Sequence, residues 1–251
     1  SKQSIRSIVR QADLYTTLQG DEETDAFEKS ITRQYEEPGQ EAIEKLLGRQ
    51  KLKPLDWRRI AMFVALQQMR TPLYFLEMVK RLNQQIPEIL VDVVRDYEKR
   101  QDEDPAPDES TQPSINYIGD AFRVSITAAE PGRETAITAE VSSGRAAWIS
   151  TISALLLRKG DVICQHRWRA IEPAGDAEWP LTDHPVLTLN YYRPDLYDFG
   201  AGWGRKGSEF ILPVSPRLAV CTQVGSNVRG PSAMTEEQTK GIQRFMAERA
   251  L

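Results

Sequence analysis

The spacing of apolar residues changes along this chain, and that change constrains the fold more than any other feature of the sequence. Phe27, Ile31 and Tyr35 recur at four-residue steps, which places them on one face of a helix. The segment Val162–Ile171 alternates in steps of two instead, as a half-buried strand does. A helical first half followed by strands predicts the α+β class, with a helical bundle packed against a small mixed or antiparallel sheet and its flanking helices.

The segment Asp102–Pro113, with the sequence DEDPAPDESTQP, separates the two patterns. It combines acidic residues, prolines and small polar residues without an apolar anchor, which is typical of a solvated linker or a mobile loop. We therefore expect a helical half at residues 1–101, a linker at 102–113 and a mixed half at 114–251, packed together as one globular unit. A chain of 251 residues can bury a core of useful size without disulfides.

Individual elements follow from periodicity and from capping residues. The predicted helices are Ser4–Leu14, one that begins between Asp21 and Asp25, Glu41–Leu47, Leu55–Asn83, Pro87–Arg100, Tyr117–Ala129, Ala146–Arg158 and Thr235–Leu251. The predicted strands are Val162–Ile171, Val186–Tyr191, Glu209–Val214 and Leu218–Thr222. Pro38 and Gly39 are expected to break or kink the second helix.

The formal charge of -4 comes from the linker, because residues 102–109 hold five acidic and no basic side chains. The halves on either side are close to neutral, so any case for nucleic-acid binding must come from local patches. Two cysteines are too few for a disulfide framework, and the apolar runs are far shorter than the roughly 20 residues that cross a bilayer. These features predict a cytoplasmic protein without a membrane segment. The chain starts at Ser1 and not at a methionine, which is compatible with further residues upstream in the natural protein.

Arg70 lies among apolar residues of the longest predicted helix. Its neighbours on a helical wheel are Phe63, Leu66 and Tyr74. We therefore expect the guanidinium group to be largely removed from water, and an unpaired buried charge is so costly that a carboxylate or carbonyl partner is required. Pro72 has no backbone N–H and leaves the carbonyl of Gln68 free as one acceptor. Arg70 is either a structural link between helices or an anion-binding or catalytic residue.

A row of polar side chains runs along the predicted second helix. Its members are Asp25, Glu28, Thr32 and Glu36. At 100° per residue they fall within a stripe of about 80°. Carboxylates with this spacing can share a divalent cation or act as acid and base in hydrolysis, and the alternative is an ordinary solvated helix face.

Asp183 and His184 occupy a Thr-Asp-His-Pro turn immediately before a predicted strand. The following proline favours an extended His184, and the carboxylate of Asp183 can cap the turn. Carboxylates at strand ends also serve as metal ligands in hydrolases and nucleases. Asp183 and His184, together with Arg70, are therefore the candidate catalytic residues, with a purely turn-forming role as the alternative.

Three stretches carry a family resemblance: QMRTP at Gln68–Pro72, the carboxylate-bearing helix around Glu28 and Glu36, and WPLTDHPVL at Trp179–Leu187. Together they resemble a mainly bacterial, uncharacterised family known as domain of unknown function 4238. That family has an RTP motif in a long helix and, later, a tryptophan-bearing strand, here with Trp168, followed by a Thr-(Ser)-Asp-x-Pro turn. The resemblance extends from about Leu14 to the end of the chain, and the family's opening segment HHYVPxFYLR is absent. It implies no established activity.

Other polar clusters have less specific patterns. A Cys2His2 zinc site would need Cys164, His166, His184 and Cys221, whose spacing is not that of a zinc finger and which fit burial in the core better. Candidate phosphate or nucleic-acid contacts are Lys51, Lys53, Arg58 and Arg59 beside Trp57, and Arg205 and Lys206 in the glycine-rich loop Gly200–Gly207. An exposed helix start and a flexible loop are the alternatives.

Two hypotheses of different classes follow. The first is a metal-assisted hydrolase, a nuclease of toxin or defence type, in which Glu28, Glu36 and Asp183 bind Mg²⁺ or Mn²⁺. In that hypothesis His184 orients or transfers a proton and Arg70 steadies the carboxylates or an anionic intermediate. The second is a non-enzymatic binding or regulatory module in which the same residues form a buried arginine–carboxylate network. The sequence leaves the substrate, the partner and the oligomeric state open.

Overall fold

The computed structural model divides the chain into two compact units, one of residues 1–71 with 155–251 and one of residues 72–154. It describes residues 17–19, 22–24, 26–71, 73–78, 115–116, 122–127, 136–141, 160–226 and 233–250, with single positions between 80 and 156. Side chains are described from Lys29 onward, except at 115–141. The predicted helix Ser4–Leu14, Asp25 and the linker Asp102–Pro113 lie outside the described residues, so the boundary at the linker stays a prediction.

The first unit opens with a short antiparallel hairpin of β1 (Thr17–Gln19) and β2 (Glu22–Thr24). Helix α1 (Ala26–Ile31) follows and passes through one wide π-turn (Thr32–Glu36) into helix α2 (Glu37–Leu47). The irregularity expected at Pro38 and Gly39 is therefore not a break, because the helix continues from the π-turn through both residues. The backbone N–H of Glu37 donates five residues back to Thr32, and this widened turn accommodates a proline that cannot donate and whose ring would clash with a regular turn.

Helix α3 runs from Pro54 to Met69 and forms a helical hairpin with α2. The two helices approach closely at Gly39, where a side-chain Cβ would lie 2.5 Å from Cβ of Phe63. The predicted helix Leu55–Asn83 is interrupted, because residues 70 and 71 form a turn and a bend before the helical residues 73–78. A proline at position 72 explains the interruption, since it cannot donate to the carbonyl of Gln68.

A five-stranded antiparallel sheet forms the second part of this unit. Its strands are β6 (Trp168–Ile171), β7 (Leu187–Arg193), β8 (Leu196–Asp198), β9 (Glu209–Ser215) and β10 (Leu218–Gln223), in the order β6-β10-β9-β7-β8. The predictions for β7, β9 and β10 are confirmed, and so is the closing helix, α4 (Glu236–Arg249). The α+β class is also confirmed. None of the described helices is long and apolar enough to span a membrane.

Two predicted elements are wrong. The alternating segment Val162–Ile171 is a strand only in β6, because residues 160–165 are helical. The predicted helix Tyr117–Ala129 contains β4 (Phe122–Thr127), which pairs with β3 (Ile115–Asn116) and β5 (Ala136–Val141) in the second unit. The sequence FRVSIT of β4 alternates valine and isoleucine with polar residues, and this period of two decides in favour of a strand.

Both faces of the five-stranded sheet are packed near its centre, so Leu187–Asn190 at the start of β7 is buried throughout and does not alternate. Helix α4 covers one face with Ile242, Phe245 and Met246, which pack against Leu189 and Ile211. On the opposite face the ring of Trp203 stacks on Phe210 with a centroid separation of 3.6 Å. The same tryptophan joins this face to helix α3, as described below.

Candidate functional site

The end of helix α3 meets the turn before β7 through Thr71. Thr71 and His184 are both buried, at 4% exposure. Oγ1 of Thr71 lies 3.1 Å from the carbonyl oxygen of Gln68, which can only accept a hydrogen bond. Because this contact uses the hydroxyl proton, Nδ1 of His184, 3.1 Å from the same Oγ1, is the donor in the second contact. The carbonyl left free by a proline at position 72 thus orients the histidine ring through Thr71.

Arg70 forms an ion pair with Glu36 at the end of the π-turn. Nη1 of Arg70 donates to Oε1 of Glu36, and the hydroxyl of Thr32 donates to Oε2 across 3.0 Å. The Arg70 side chain is 34% exposed and that of Glu36 is 19% exposed. The expected carboxylate partner of Arg70 is therefore Glu36, but the guanidinium group is half-buried and not enclosed as predicted. The helix ends at Arg70, and this brings its side chain nearer to solvent than a mid-helix position would.

The cluster of Glu36, Gln68, Arg70, Thr71 and His184 at the end of α3 is the corner. Gln68 makes its third contact. Its Oε1 accepts a hydrogen bond from Nε1 of Trp203 across 3.0 Å, in a buried position. Trp203 belongs to the glycine-rich loop, and the loop is held by further bonds. The backbone N–H of Gly200 donates to Asp198 across 2.8 Å, and that of Gly202 donates to Ser208 across 3.2 Å. Two of the N–H groups that would hold a phosphate in such a loop already have acceptors within the protein.

The predicted metal ligands are placed as follows. Both carboxylate oxygens of Glu36 are engaged, by Arg70 and Thr32. The backbone of Glu28 lies in α1, and its side chain is outside the described residues. Asp183 is exposed. Among the side chains that the structure describes, no group of three or more His, Cys, Asp or Glu could hold a metal ion. The set of Glu28, Glu36 and Asp183 stays a prediction.

The four residues considered for zinc all lie in the described part of the chain, and they do not form such a group. The ring Nε2 of His166 lies 2.8 Å from the carbonyl oxygen of Trp203. Burial raises the pKa of the Cys221 thiol to about 11, although Arg169 opposes this shift. Cys221 is therefore a protonated core residue, in agreement with the alternative given for this set.

The predicted basic contacts differ in exposure and in their partners within the protein. Lys51, Lys53 and Lys206 are exposed. Arg58 pairs with Asp161 across 3.2 Å, and Arg59 lies 3.7 Å from Glu41. Arg205 donates to the hydroxyl of Tyr192. Their contact with phosphate or nucleic acid stays a prediction.

A groove of about 1750 Å³ extends along the sheet face that carries α4. Its floor contains residues of β6, β7, β9 and β10: Arg169, Leu189, Tyr191, Glu209, Ile211, Cys221 and Gln223. The first part of α4, from Glu236 to Phe245, forms one wall, and Trp57 and His166 belong to the lining of the other side. This volume exceeds the roughly 300–1,000 Å³ of small-molecule pockets, which is the scale of a groove for a longer ligand.

Charges of both signs line the groove. The basic side chains are Arg167, Arg169, Lys240 and Arg244, and the acidic ones are Glu209, Glu236 and Glu237. Burial raises the pKa of the Glu209 carboxyl, while Arg169 and a 2.9 Å hydrogen bond from Gln223 act in the opposite direction. A half-buried carboxyl with a perturbed pKa in a cleft is a feature of binding sites.

Residues 1–250 match the family described as "Protein of unknown function (DUF4238)". The chain belongs to this family. No curated protein and no solved structure shows significant similarity to it.

Two of the three stretches that carry the DUF4238 resemblance are in contact, because Thr71 of RTP bonds His184 of TDHP. The sequence singled out Arg70, Glu36 and His184 but not Thr71 or Trp203. One signal for Thr71 was available. A proline has no N–H for the carbonyl four residues earlier, and the hydroxyl of a threonine before the proline can donate to that carbonyl instead. No local signal indicates the partner of Trp203, which is 135 residues away from Gln68.

Proposed function

We propose that this DUF4238 chain is a non-enzymatic binding module, and that the groove beside α4 takes an extended segment of a partner protein. The observation that carries the proposal is the groove itself, about 1750 Å³ in volume, with apolar side chains in its floor and charges of both signs on its lining. Tyrosine, tryptophan and arginine dominate the binding energy of protein interfaces, and the lining contains Tyr191, Trp57 and Arg244.

The charge of the lining favours a polypeptide over a nucleic acid. Four basic and three acidic side chains line the groove. A polyanion needs a predominantly basic surface, since its affinity depends on neutralising successive phosphates. A protein segment with mixed charges meets a complementary surface here, and its apolar side chains have a floor on which to pack.

The corner at the end of α3 has a structural role in this proposal. The bond from Arg70 to Glu36 joins α3 to the π-turn before α2. The bond between His184 and Thr71 joins the end of α3 to the turn before β7. A catalytic acid or base must reach a substrate proton, and a buried ring bonded to Thr71 is poorly placed for that. The corner would hold α2 and α3 against the sheet whose other face binds the partner.

Adjacent tyrosines on β7 offer a matched test, because one of them lines the groove and the other does not. Tyr191 lines the groove and is 45% exposed, whereas Tyr192 is 53% exposed and contacts Asp198 outside it. Peptides would be selected from a random displayed library and then titrated against both alanine variants. We expect equal affinity for wild type and Tyr192→Ala and at least tenfold weaker binding to Tyr191→Ala. Selected peptides that bind both variants equally, or a single-stranded oligonucleotide that binds better than any peptide, would refute the proposal.

A metal-assisted hydrolase or nuclease is the second candidate, and the exposed carboxylate of Asp183 beside the corner is the observation in its favour. Calorimetric titration with Mn²⁺ and Mg²⁺ tests it directly. Saturable heat that disappears in Asp183→Ala, together with metal-dependent cleavage of nucleic acid, would support this candidate over the binding module. Absence of both would remove it.

A further inference from the structure

A second cavity, of about 320 Å³, lies along the flank of helix α3 and shares no lining residue with the groove. Its lining joins apolar side chains to two arginines and a tyrosine: Tyr35, Leu55, Arg58, Arg59, Met62 and Leu156. This volume is at the lower end of the roughly 300–1,000 Å³ range for small-molecule sites. The cavity therefore has the size of a single small ligand.

The tyrosine of this cavity belongs to the π-turn. Single π-turns inside α-helices are frequent at functional sites, because the widened turn displaces side chains from their regular positions. Tyr35 is half-buried, and burial raises the pKa of its phenol, so its hydroxyl is a donor at neutral pH. The ring supplies an apolar surface and the hydroxyl supplies a polar group.

The two arginines give the cavity a net positive lining. Asp161 is the acidic residue among its lining side chains, and it lies 3.2 Å from Nη2 of Arg58 in an exposed pair. Arg59 lies 3.7 Å from Glu41, beyond hydrogen-bond distance. Ion pairs between exposed side chains contribute little, about 0–1 kcal/mol, so a ligand can replace them. Each guanidinium group also has further N–H donors to offer to an anion.

We infer that this cavity binds a small organic anion, with a ring-sized apolar body on Tyr35, Met62 and Leu156 and a carboxylate or phosphate group held by Arg58 and Arg59. Arginine suits this role because its planar group of donors matches the geometry of carboxylate and phosphate oxygens. The cavity is independent of the groove, so this inference stands or fails separately from the proposed binding of a partner protein.

Titration calorimetry with phenyl phosphate tests the inference on the full chain. Inorganic phosphate supplies the anion without the ring, benzyl alcohol supplies the ring without the anion, and phenylacetate distinguishes a carboxylate site from a phosphate site. We expect phenyl phosphate or phenylacetate to bind at least tenfold more tightly than inorganic phosphate and benzyl alcohol. Absence of saturable binding by both organic anions, or affinity no better than that of inorganic phosphate, would overturn the inference.

Two kinds of variant locate the binding. The double substitution Arg58→Gln and Arg59→Gln removes the positive charges and should weaken binding at least tenfold. Arg49→Gln is the matched control, since Arg49 is 88% exposed and outside the cavity lining, and it should bind as wild type does.

Gly160→Leu changes shape without changing charge. Gly160 is helical and buried, and a Cβ there would lie 3.3 Å from Cε of Met62, a flexible side chain that can move. Replacing glycine within a helix also favours folding, so the variant should keep or raise its melting temperature while the leucine fills the cavity. Binding of the organic anion should be lost. A folded Gly160→Leu protein that binds as tightly as wild type would refute the location.

Discussion

Nδ1 of His184 lies 3.1 Å from Oγ1 of Thr71, and this hydrogen bond joins the residue after Arg70 to the turn that leads into β7. Its two residues are 113 positions apart in the sequence. The contact exists because Thr71 also donates to the carbonyl of Gln68, a group that a regular helix would pair with a backbone N–H. A break in one helix thus creates the hydroxyl acceptor that positions the histidine.

Replacing Thr71 by valine should destabilise the protein by about 1–3 kcal/mol, because the shape is kept while hydrogen bonds to buried groups are lost. Thr71→Ser keeps the hydroxyl and removes one methyl group, so its cost should be smaller, about 1 kcal/mol. Urea denaturation followed by circular dichroism measures both. A serine variant as unstable as the valine variant would show that packing and not the hydroxyl is responsible.

The ion pair of Arg70 and Glu36 should contribute a coupling energy of about 1 kcal/mol in a double-mutant cycle of Arg70→Met and Glu36→Gln. We expect a coupling energy between those of exposed and buried ion pairs, because Arg70 is 34% exposed and its charge is partly screened by solvent. Arg95 and Asp92, whose side chains are 61% and 65% exposed, form the comparison pair. Their coupling should be about 0.5 kcal/mol or less. Equal coupling in the two pairs would contradict the role assigned to partial burial.

Sequence reasoning succeeded where the determining interactions are local. Two short apolar runs on either side of a turn at Pro216 predict strands β9 and β10, and these pair as an antiparallel hairpin. The start of α4 follows from Thr235, whose Oγ1 accepts from the backbone N–H of Gln238 across 3.2 Å. Arg70 required a carboxylate or carbonyl partner on energetic grounds alone, and Glu36 is the carboxylate partner.

Sequence reasoning failed where the determining interactions are distant in the chain, or where both the helical and the strand period fit one segment. Residues 162–165 belong to the alternating segment Val162–Ile171 yet are helical, and a window this short does not distinguish the two periods. The contact of Trp203 with Gln68 depends on how the loop packs against α3, which no local pattern encodes. The groove arises because α4 covers only part of one sheet face, and this too is a property of the assembled unit.

Trp203→Phe should separate the two contributions of this tryptophan. The phenylalanine ring can still stack on Phe210. The indole N–H that donates to Gln68 is lost, so the buried Oε1 of Gln68 loses a hydrogen bond. We expect a loss of about 1–3 kcal/mol for phenylalanine and of about 3–5 kcal/mol for alanine, which also leaves a cavity. Thermal unfolding measures both, with Trp57→Phe as a control on the groove lining. A phenylalanine variant as stable as wild type would show that the hydrogen bond contributes nothing.

Asp56 should make stability fall in acid. Its carboxylate accepts from Nζ of Lys45 and from the backbone N–H of Lys53, across 2.7 and 2.8 Å, and these bonds lower its pKa below the ordinary value of 3.8. A folded pKa below the unfolded one means that the contribution is complete above the unfolded pKa and disappears as the pH falls through the folded pKa. Asp56→Asn should therefore be less stable than wild type at neutral pH, and the difference should shrink as the pH drops below 3.8. Denaturation of both proteins from pH 7 to pH 2, with Asp92→Asn as an exposed control, measures the trend. A difference that stays constant over this range would show that the carboxylate charge has no part in holding the start of α3.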